Sequence, residues 1–248
     1  DEGVTLISRG PVATVWRPPI DNHADQFANE WKPRLLDIAT QHVESVDVSD
    51  EDGSPRLEAR FRLAPISLSF GWRCESYWTF REGGAGLYAL EAHPYGPVPR
   101  TLPSSGVELK IPSEFNQIEY LGRGPGENYP DSNAAAPIGR FTTTAADLYT
   151  PYPHPQDHGL RTDVRWVAYR RSDGLGVLLV ARRPIAWSTW QWDAATIESA
   201  AHLHELPPPG DELTVRLEAK VSGLGSASWG SEVTPSYENP SDAFAIDF

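Results

Sequence analysis

The feature that most constrains this chain is a two-residue alternation of apolar and polar side chains that recurs seven times along it. In residues 57–63, Leu57, Ala59, Phe61 and Leu63 fall on one side of an extended segment, and Glu58, Arg60 and Arg62 on the other. Successive side chains of a strand point to opposite faces, so this spacing describes a half-buried strand. Residues 74–80, 86–92, 107–111, 164–169, 176–181 and 213–221 read the same way. Arg81-Glu82-Gly83-Gly84 and Arg171-Ser172-Asp173-Gly174 each stand between two such runs, where hairpin turns belong. Helix signals are few: residues 29–38 predict about two turns despite Pro33, and residues 194–206 read as a short helix or a bent strand. With 23 Pro and 20 Gly spread throughout, the expected class is all-β, an antiparallel sandwich or barrel with long loops and at most one or two short helices. No internal repeat or low-complexity linker divides residues 1–248, so one domain is expected.

Two stretches break the pattern. Residues 122–159 are dense in Gly, Pro, Asn, Tyr and His and show no convincing strand. Connections in compact domains have a median of roughly 4 to 6 residues, so a loop of this length is functional or packs against another body. The tail, residues 230–248, is also irregular, yet it ends in Phe-Ala-Ile-Asp-Phe, apolar enough to dock on a surface.

Composition narrows the partners. The 34 Asp and Glu against 21 Lys and Arg give a net charge of -13, which argues against nucleic-acid binding. No uninterrupted apolar run approaches a membrane span, and nothing addresses the chain to a membrane. Methionine is absent, which suggests a piece of a longer polypeptide. The single cysteine, Cys74, excludes an intrachain disulfide and a four-thiolate metal site, and a lone buried thiol fits a reducing, cytoplasmic setting.

Several residues could carry chemistry. Glu127 and Asp131 flank Asn128-Tyr129-Pro130 in the long loop, and a glycosidase needs two carboxyl groups about 5 to 9 Å apart. The alternative is that these acids cap turns or pair with an arginine such as Arg123. Asp21, Asn22 and His23 follow Trp16-Arg17-Pro18-Pro19 and suit either a fixed polar turn or a ligand contact. His202 and His204 have the spacing that puts two imidazoles on one side of a strand, but only Glu205 stands beside them and no metal site is expected. His154 and His158 lie in a proline-shaped loop. There is no phosphate-cradling glycine loop and no G-x-S-x-G elbow, hence no self-contained catalytic machine. Of nine tryptophans most belong in the core. Trp229 differs, because Gly223-Leu224-Gly225-Ser226-Ala227-Ser228 precede it and no strand buries it. It is either a hydrophobic plug or an exposed indole, and an exposed indole suits the flat apolar face of a sugar.

Taken in order, Trp16-Arg17-Pro18-Pro19-Ile20-Asp21-Asn22, Tyr120-Leu121-Gly122-Arg123-Gly124-Pro125-Gly126-Glu127-Asn128-Tyr129-Pro130-Asp131, the segment from Tyr149-Thr150-Pro151-Tyr152-Pro153 to Gly159-Leu160-Arg161-Thr162-Asp163, and Ser228-Trp229 resemble the C-terminal domain, or small chain, of the glycoside hydrolase family 2 β-galactosidases. The resemblance covers nearly the whole chain. It implies a galactose-mutarotase-like β-supersandwich that completes the active-site pocket of a retaining β-galactosidase acting on terminal β-D-galactosides such as lactose. It further implies that the catalytic glutamates and a Mg2+ ion sit on a separate barrel domain. The partners implied are the substrate, that barrel, the other domains and further copies in a homo-oligomeric parent. Trp229 matches the tryptophan of the substrate platform, and Asp21, Asn22 and His23 match the turn that borders the pocket. Glu127, Asn128, Tyr129 and Asp131 are then scaffold or interface, and no catalytic residue lies on this chain. Here residues 23–31 form a short turn without glycine, and residues 230–248 read as truncated or diverged. Two other readings share the sugar chemistry: an aldose 1-epimerase using His154, His158, His202 and Glu127, and a free-standing carbohydrate-binding module.

Overall fold

The alternating segments form strands, and the computed structural model, which describes residues 3–51, 53–225 and 233–248, arranges them in two antiparallel sheets. The strands are β1 (Arg9–Thr14), β2 (Thr40–Glu51), β3 (Ser54–Ala64), β4 (Gly71–Phe80), β5 (Gly86–Tyr95), β6 (Ser104–Pro112), β7 (Gln117–Arg123), β8 (Ile138–Thr143), β9 (Arg161–Arg170), β10 (Gly176–Trp190), β11 (Glu212–Val221) and β12 (Phe244–Asp247). One sheet runs β1-β6-β11-β10-β9-β7-β8 and the other β12-β5-β4-β3-β2. The result is the expected all-β sandwich with a few short helices.

The core lies between the two sheets. Phe61, Leu63, Trp72, Cys74, Leu90 and Ala92 of the smaller sheet face Val107, Leu109, Val167, Trp187, Val215 and Leu217 of the larger, and all are buried. Burial pushes the Cys74 thiol up to about 12. Trp187 donates through its indole N–H to the Tyr169 hydroxyl at 2.8 Å, so the polar tips of two buried aromatic rings satisfy each other. The two expected hairpins are present. Gly83, Gly84 and Gly174 have φ of 82°, 81° and 88°, values that a side chain makes costly.

Four expectations are corrected. Residues 122–159 contain a strand, β8, whose alternately exposed and half-buried residues pair with β7. Pro137 and Gly139 mask that pattern in the sequence, and the Phe141 ring packs 5.4 Å from Tyr120. The helical turns near Pro33 begin earlier, at Asp21, and run continuously over residues 21–31. Pro33 falls in the turn that follows, where Leu35 takes a φ of 54°. His202 and His204 stand on a single tight turn, not a strand, with their rings stacked at 5.5 Å. The end of the tail is a strand rather than irregular, and its Phe-Ala-Ile-Asp-Phe segment docks as expected: β12 pairs with β5, and Phe248 exchanges two backbone hydrogen bonds with Tyr88.

The run over residues 21–31 is held from inside. The Trp31 indole N–H donates to the Thr101 carbonyl at 3.1 Å, and Glu30 accepts from the Thr101 N–H at 2.9 Å. His23 is buried edge-on against Trp31, with ring centroids 5.3 Å apart. Burial first, and the Arg17 charge second, lower its pKa to about 3, while the Gly223 backbone favours the proton slightly without reaching hydrogen-bond geometry.

Two predictions follow from this packing. A Cβ on Gly106 would lie 2.2 Å from the Leu217 carbonyl oxygen in the middle of the larger sheet. Gly106→Ala is therefore expected to cost about 1–3 kcal/mol in urea unfolding, and an unchanged midpoint would contradict the close approach of β6 and β11. For His23, the unfolded chain binds a proton near the ordinary value of 6.5 and the folded chain only near 3. Stability is thus lost as pH falls through that window. The melting temperature of His23→Gln should fall less steeply than that of the parent chain between those limits, and parallel slopes would refute the assignment.

Candidate functional site

The segment after β1 turns inward. Val15 and Trp16 join the core, and Arg17 follows with only 1% of its surface exposed. A buried guanidinium needs partners, and Arg17 donates to Asp157 Oδ2 at 2.6 Å and to the Ser222 carbonyl at 3.0 Å. The Tyr129 ring lies 5.4 Å beneath the guanidinium, and its hydroxyl donates to the same Asp157 oxygen at 2.8 Å. Burial, reinforced by Asp157, holds the Tyr129 phenol well above its ordinary pKa, so it stays a donor. One carboxylate therefore joins three segments distant in sequence.

A second buried pair lies against the first. Arg216 donates through Nε and Nη2 to Glu218 at 2.9 and 2.6 Å, and through Nη2 to the Trp16 carbonyl at 2.6 Å. Its guanidinium lies 4.9 Å from the centre of the Trp190 ring. Burial pushes the Glu218 carboxyl upward, and Arg216 opposes that shift. Arg17, Asp157, Arg216 and Glu218 are all at least 97% buried and sum to zero formal charge.

The long loop is fixed by its own amides and acids. Asn128 donates to the Arg123 and Gly126 carbonyls and accepts from the Thr162 N–H and hydroxyl. Glu127 accepts from the Thr150 hydroxyl at 2.9 Å, the Gly159 N–H at 2.8 Å and the Tyr152 hydroxyl. Asp131 accepts from the N–H groups of Leu224 and Gly225 at 2.9 and 2.8 Å. Arg123, the suggested partner for these acids, pairs with Asp163 instead.

On this base lies a cleft of about 280 Å³ lined by Ile20, Asp21, Asn22, Tyr129, Tyr152, Gln156, Asp157 and Leu224. The Asp21 N–H donates to the Gln156 side-chain oxygen at 3.0 Å, and the Asn22 amide donates to the Leu224 carbonyl at 3.2 Å. The Asp21 carboxylate remains exposed and meets His154 Nδ1 at 3.0 Å. The cleft mixes hydroxyl, amide and carboxylate groups with the apolar Ile20 and Leu224, a surface suited to hydrogen-bonding a small polar ligand. His23 does not contribute: it points into the core.

The remaining candidates fall as follows. Trp229 lies outside the described residues; Leu224, five positions earlier, lines the cleft. His158 is buried, its Nδ1 donates to the Gln156 carbonyl at 2.9 Å, and burial lowers its pKa. His202 pairs with Glu205 on its turn. Of the epimerase set, Glu127 and His158 are neighbours, the carboxylate charge favouring the imidazolium, while His154 meets Asp21 and His202 pairs with Glu205; Glu127 is itself held by Thr150, Tyr152 and Gly159. Among the described residues, no group of three or more His, Cys, Asp or Glu side chains is placed to hold a metal ion. The sequence reading missed Asp157, Gln156 and the burial of Arg17. Arg17 and Asp157 are 140 positions apart, and no local periodicity links them. The available signal was a proline-bounded His-Pro-Gln-Asp-His segment of the kind that shapes a fixed loop.

Comparison with known proteins bears on this arrangement directly. The family model for the β-galactosidase small chain matches residues 1–248. Among curated proteins the chain is 30% identical over 246 residues to the β-galactosidase BgaC of Bifidobacterium adolescentis, with 96% of this chain and 23% of that protein covered. It is 25% identical to the β-galactosidase of Kluyveromyces lactis, with 96% of this chain and 23% of that protein covered. For an Arthrobacter β-galactosidase the identity is 29%, with 92% of this chain and 24% of that protein covered. The chain thus spans about a quarter of the length of these relatives. It belongs to the β-galactosidase small chain family.

Proposed function

We propose that this chain is the C-terminal, sugar-contacting domain of a glycoside hydrolase family 2 β-galactosidase, with a galactose-mutarotase-like β-supersandwich as its fold. In this reading it closes one side of the pocket of a retaining enzyme that hydrolyses terminal β-D-galactosides such as lactose. The two catalytic glutamates and the Mg2+ ion belong to a barrel domain outside this chain. The parent enzyme is cytoplasmic and homo-oligomeric. No helix among the described residues is long and apolar enough to cross a membrane.

The observation that carries this reading is how the loop acids are used. Retaining hydrolysis needs one carboxylate free to attack and a second free to give up a proton. Glu127 is held by three donors, Asp131 by two backbone N–H groups, and Asp157 by Arg17 and Tyr129. Asp157 lines the cleft, and Glu127 and Asp131 fix the loop segments behind it. Asp21 and Asn22 remain at its rim to meet sugar hydroxyls, and Trp229 supplies the flat platform on which the ring rests. Binding and shape are the contribution of this chain, and bond cleavage is that of its partner domain.

Two experiments test this. The purified 248-residue chain should not release nitrophenol from a β-galactoside above background; turnover that disappears in Glu127→Gln or Asp157→Asn would overturn the reading. In the parent enzyme, Trp229→Ala should raise KM roughly tenfold, the scale of about 1.4 kcal/mol for a lost ring contact, with a smaller change in kcat. An unchanged KM would remove Trp229 from the platform.

A further inference from the structure

The inner face of the smaller sheet extends beyond its cover. One row across that sheet is Val48–Leu57–Trp78–Tyr88, continued by Phe248 beside Tyr88. Tyr88 and Phe248 are 2% and 9% exposed, Leu57 and Trp78 are half-buried, and Val48 is 77% exposed. The neighbouring rows behave alike: Val46 opposite Ala59 is 55% exposed, and Val43 opposite the buried Phe61 is 61% exposed. Phe80 stacks on Trp78 at 5.7 Å and is 48% exposed.

This face is apolar by arrangement. Val43 and Val46 are three positions apart, a spacing that would put them on opposite faces of a regular strand. The register shift between Val43 and Ser45 returns Val46 and Val48 to the side of Val43. Single exposed valines are ordinary; a contiguous apolar face marks an interaction site.

We infer that this face is the docking surface for another domain of the parent enzyme, one that presents an apolar centre with a basic group facing Asp50. The inference rests on the proposed reading that the chain is part of a larger β-galactosidase. The relatives carry about three quarters of their length outside the matched region, and that mass needs a seat. β1 is tied to β2 through the Ala13 N–H and the Gln41 side-chain oxygen at 2.7 Å, so a domain joined ahead of β1 is tethered beside the face. A second copy is the poorer occupant. Asp50 alternates onto this face beside Val48, so a second copy would bring like carboxylates into the contact, whereas a basic group would meet this one.

Cysteine accessibility in the parent enzyme tests this. Val48→Cys probes the inner face and Ser49→Cys, one residue on, the outer face. Native Cys74 is buried and serves as a silent internal reference. With iodoacetamide and peptide mass spectrometry, Val48→Cys should label at least roughly tenfold more slowly than Ser49→Cys in the parent. In the isolated chain the two should label at similar rates. Equal rates in the parent overturn the inference. Protection of Val48→Cys in the isolated chain that grows with protein concentration also overturns it, in favour of a second copy. Should the isolated chain fail to fold, the comparison within the parent decides alone. Hydrolysis of β-galactosides by the parent is measured separately, so failure of the enzymatic reading is distinguishable from failure of the docking surface.

Discussion

The site depends on a single carboxylate. Asp157 takes the Arg17 guanidinium and the Tyr129 hydroxyl on one oxygen, and so fastens the segment leaving β1 to the long loop and to the approach to β9. An arginine that is 99% buried is tolerated only because its charge is met at 2.6 Å and its remaining protons find carbonyl and ring partners. Removing one partner would leave a bare charge in the interior, a larger loss than the pair ever contributed. The Arg216–Glu218 pair repeats the solution beside it and borrows the Trp16 carbonyl, so the two ionic knots share the backbone of one short segment.

The acids of the long loop are used in the same way, as acceptors for the loop's own donors. Glu127 and Asp131 accept hydrogen bonds from groups that would otherwise be unsatisfied, including three backbone N–H groups. Asn128 does the same with its amide. What is left at the rim, Asp21 and Asn22, is polar, partly solvated and held from behind by Gln156 and the Leu224 carbonyl. Such a surface leaves hydrogen-bonding groups open to the cleft.

Much of the fold was legible because its signal is local. Side-chain alternation in residues 57–63 is a direct image of a strand with one wetter face, and residues 213–221 also lie within a strand, but there the polar side chains Thr214, Arg216 and Glu218 are buried as well, which alternation alone does not reveal. β8 was not legible, since Pro137 and Gly139 interrupt a pattern that only pairing with β7 completes. The helical run over residues 21–31 was misplaced because Trp31 and His23 anchor it through burial, which outweighs weak local propensity. At the site, Asp21, Asn22, His23, Glu127, Asn128, Tyr129 and Asp131 stood out by their motifs, and of these Asp21, Asn22 and Tyr129 line the cleft; Trp229 lies outside the described residues. Asp157 and Gln156 did not stand out, because their roles exist only once residues far apart in the chain have met.

That separation has a kinetic consequence. β6 and β11 are paired neighbours although Pro112 faces Glu212 across a hundred intervening positions, and Arg216 reaches back two hundred residues to Trp16. A topology with contacts this distant folds slowly, since loop closure must come before any reward. The cleft gathers Ile20, Asp21 and Asn22 with Tyr129, Tyr152, Gln156, Asp157 and Leu224. A chain that has closed only its hairpins therefore has no cleft, because none of these segments is a hairpin neighbour of the others.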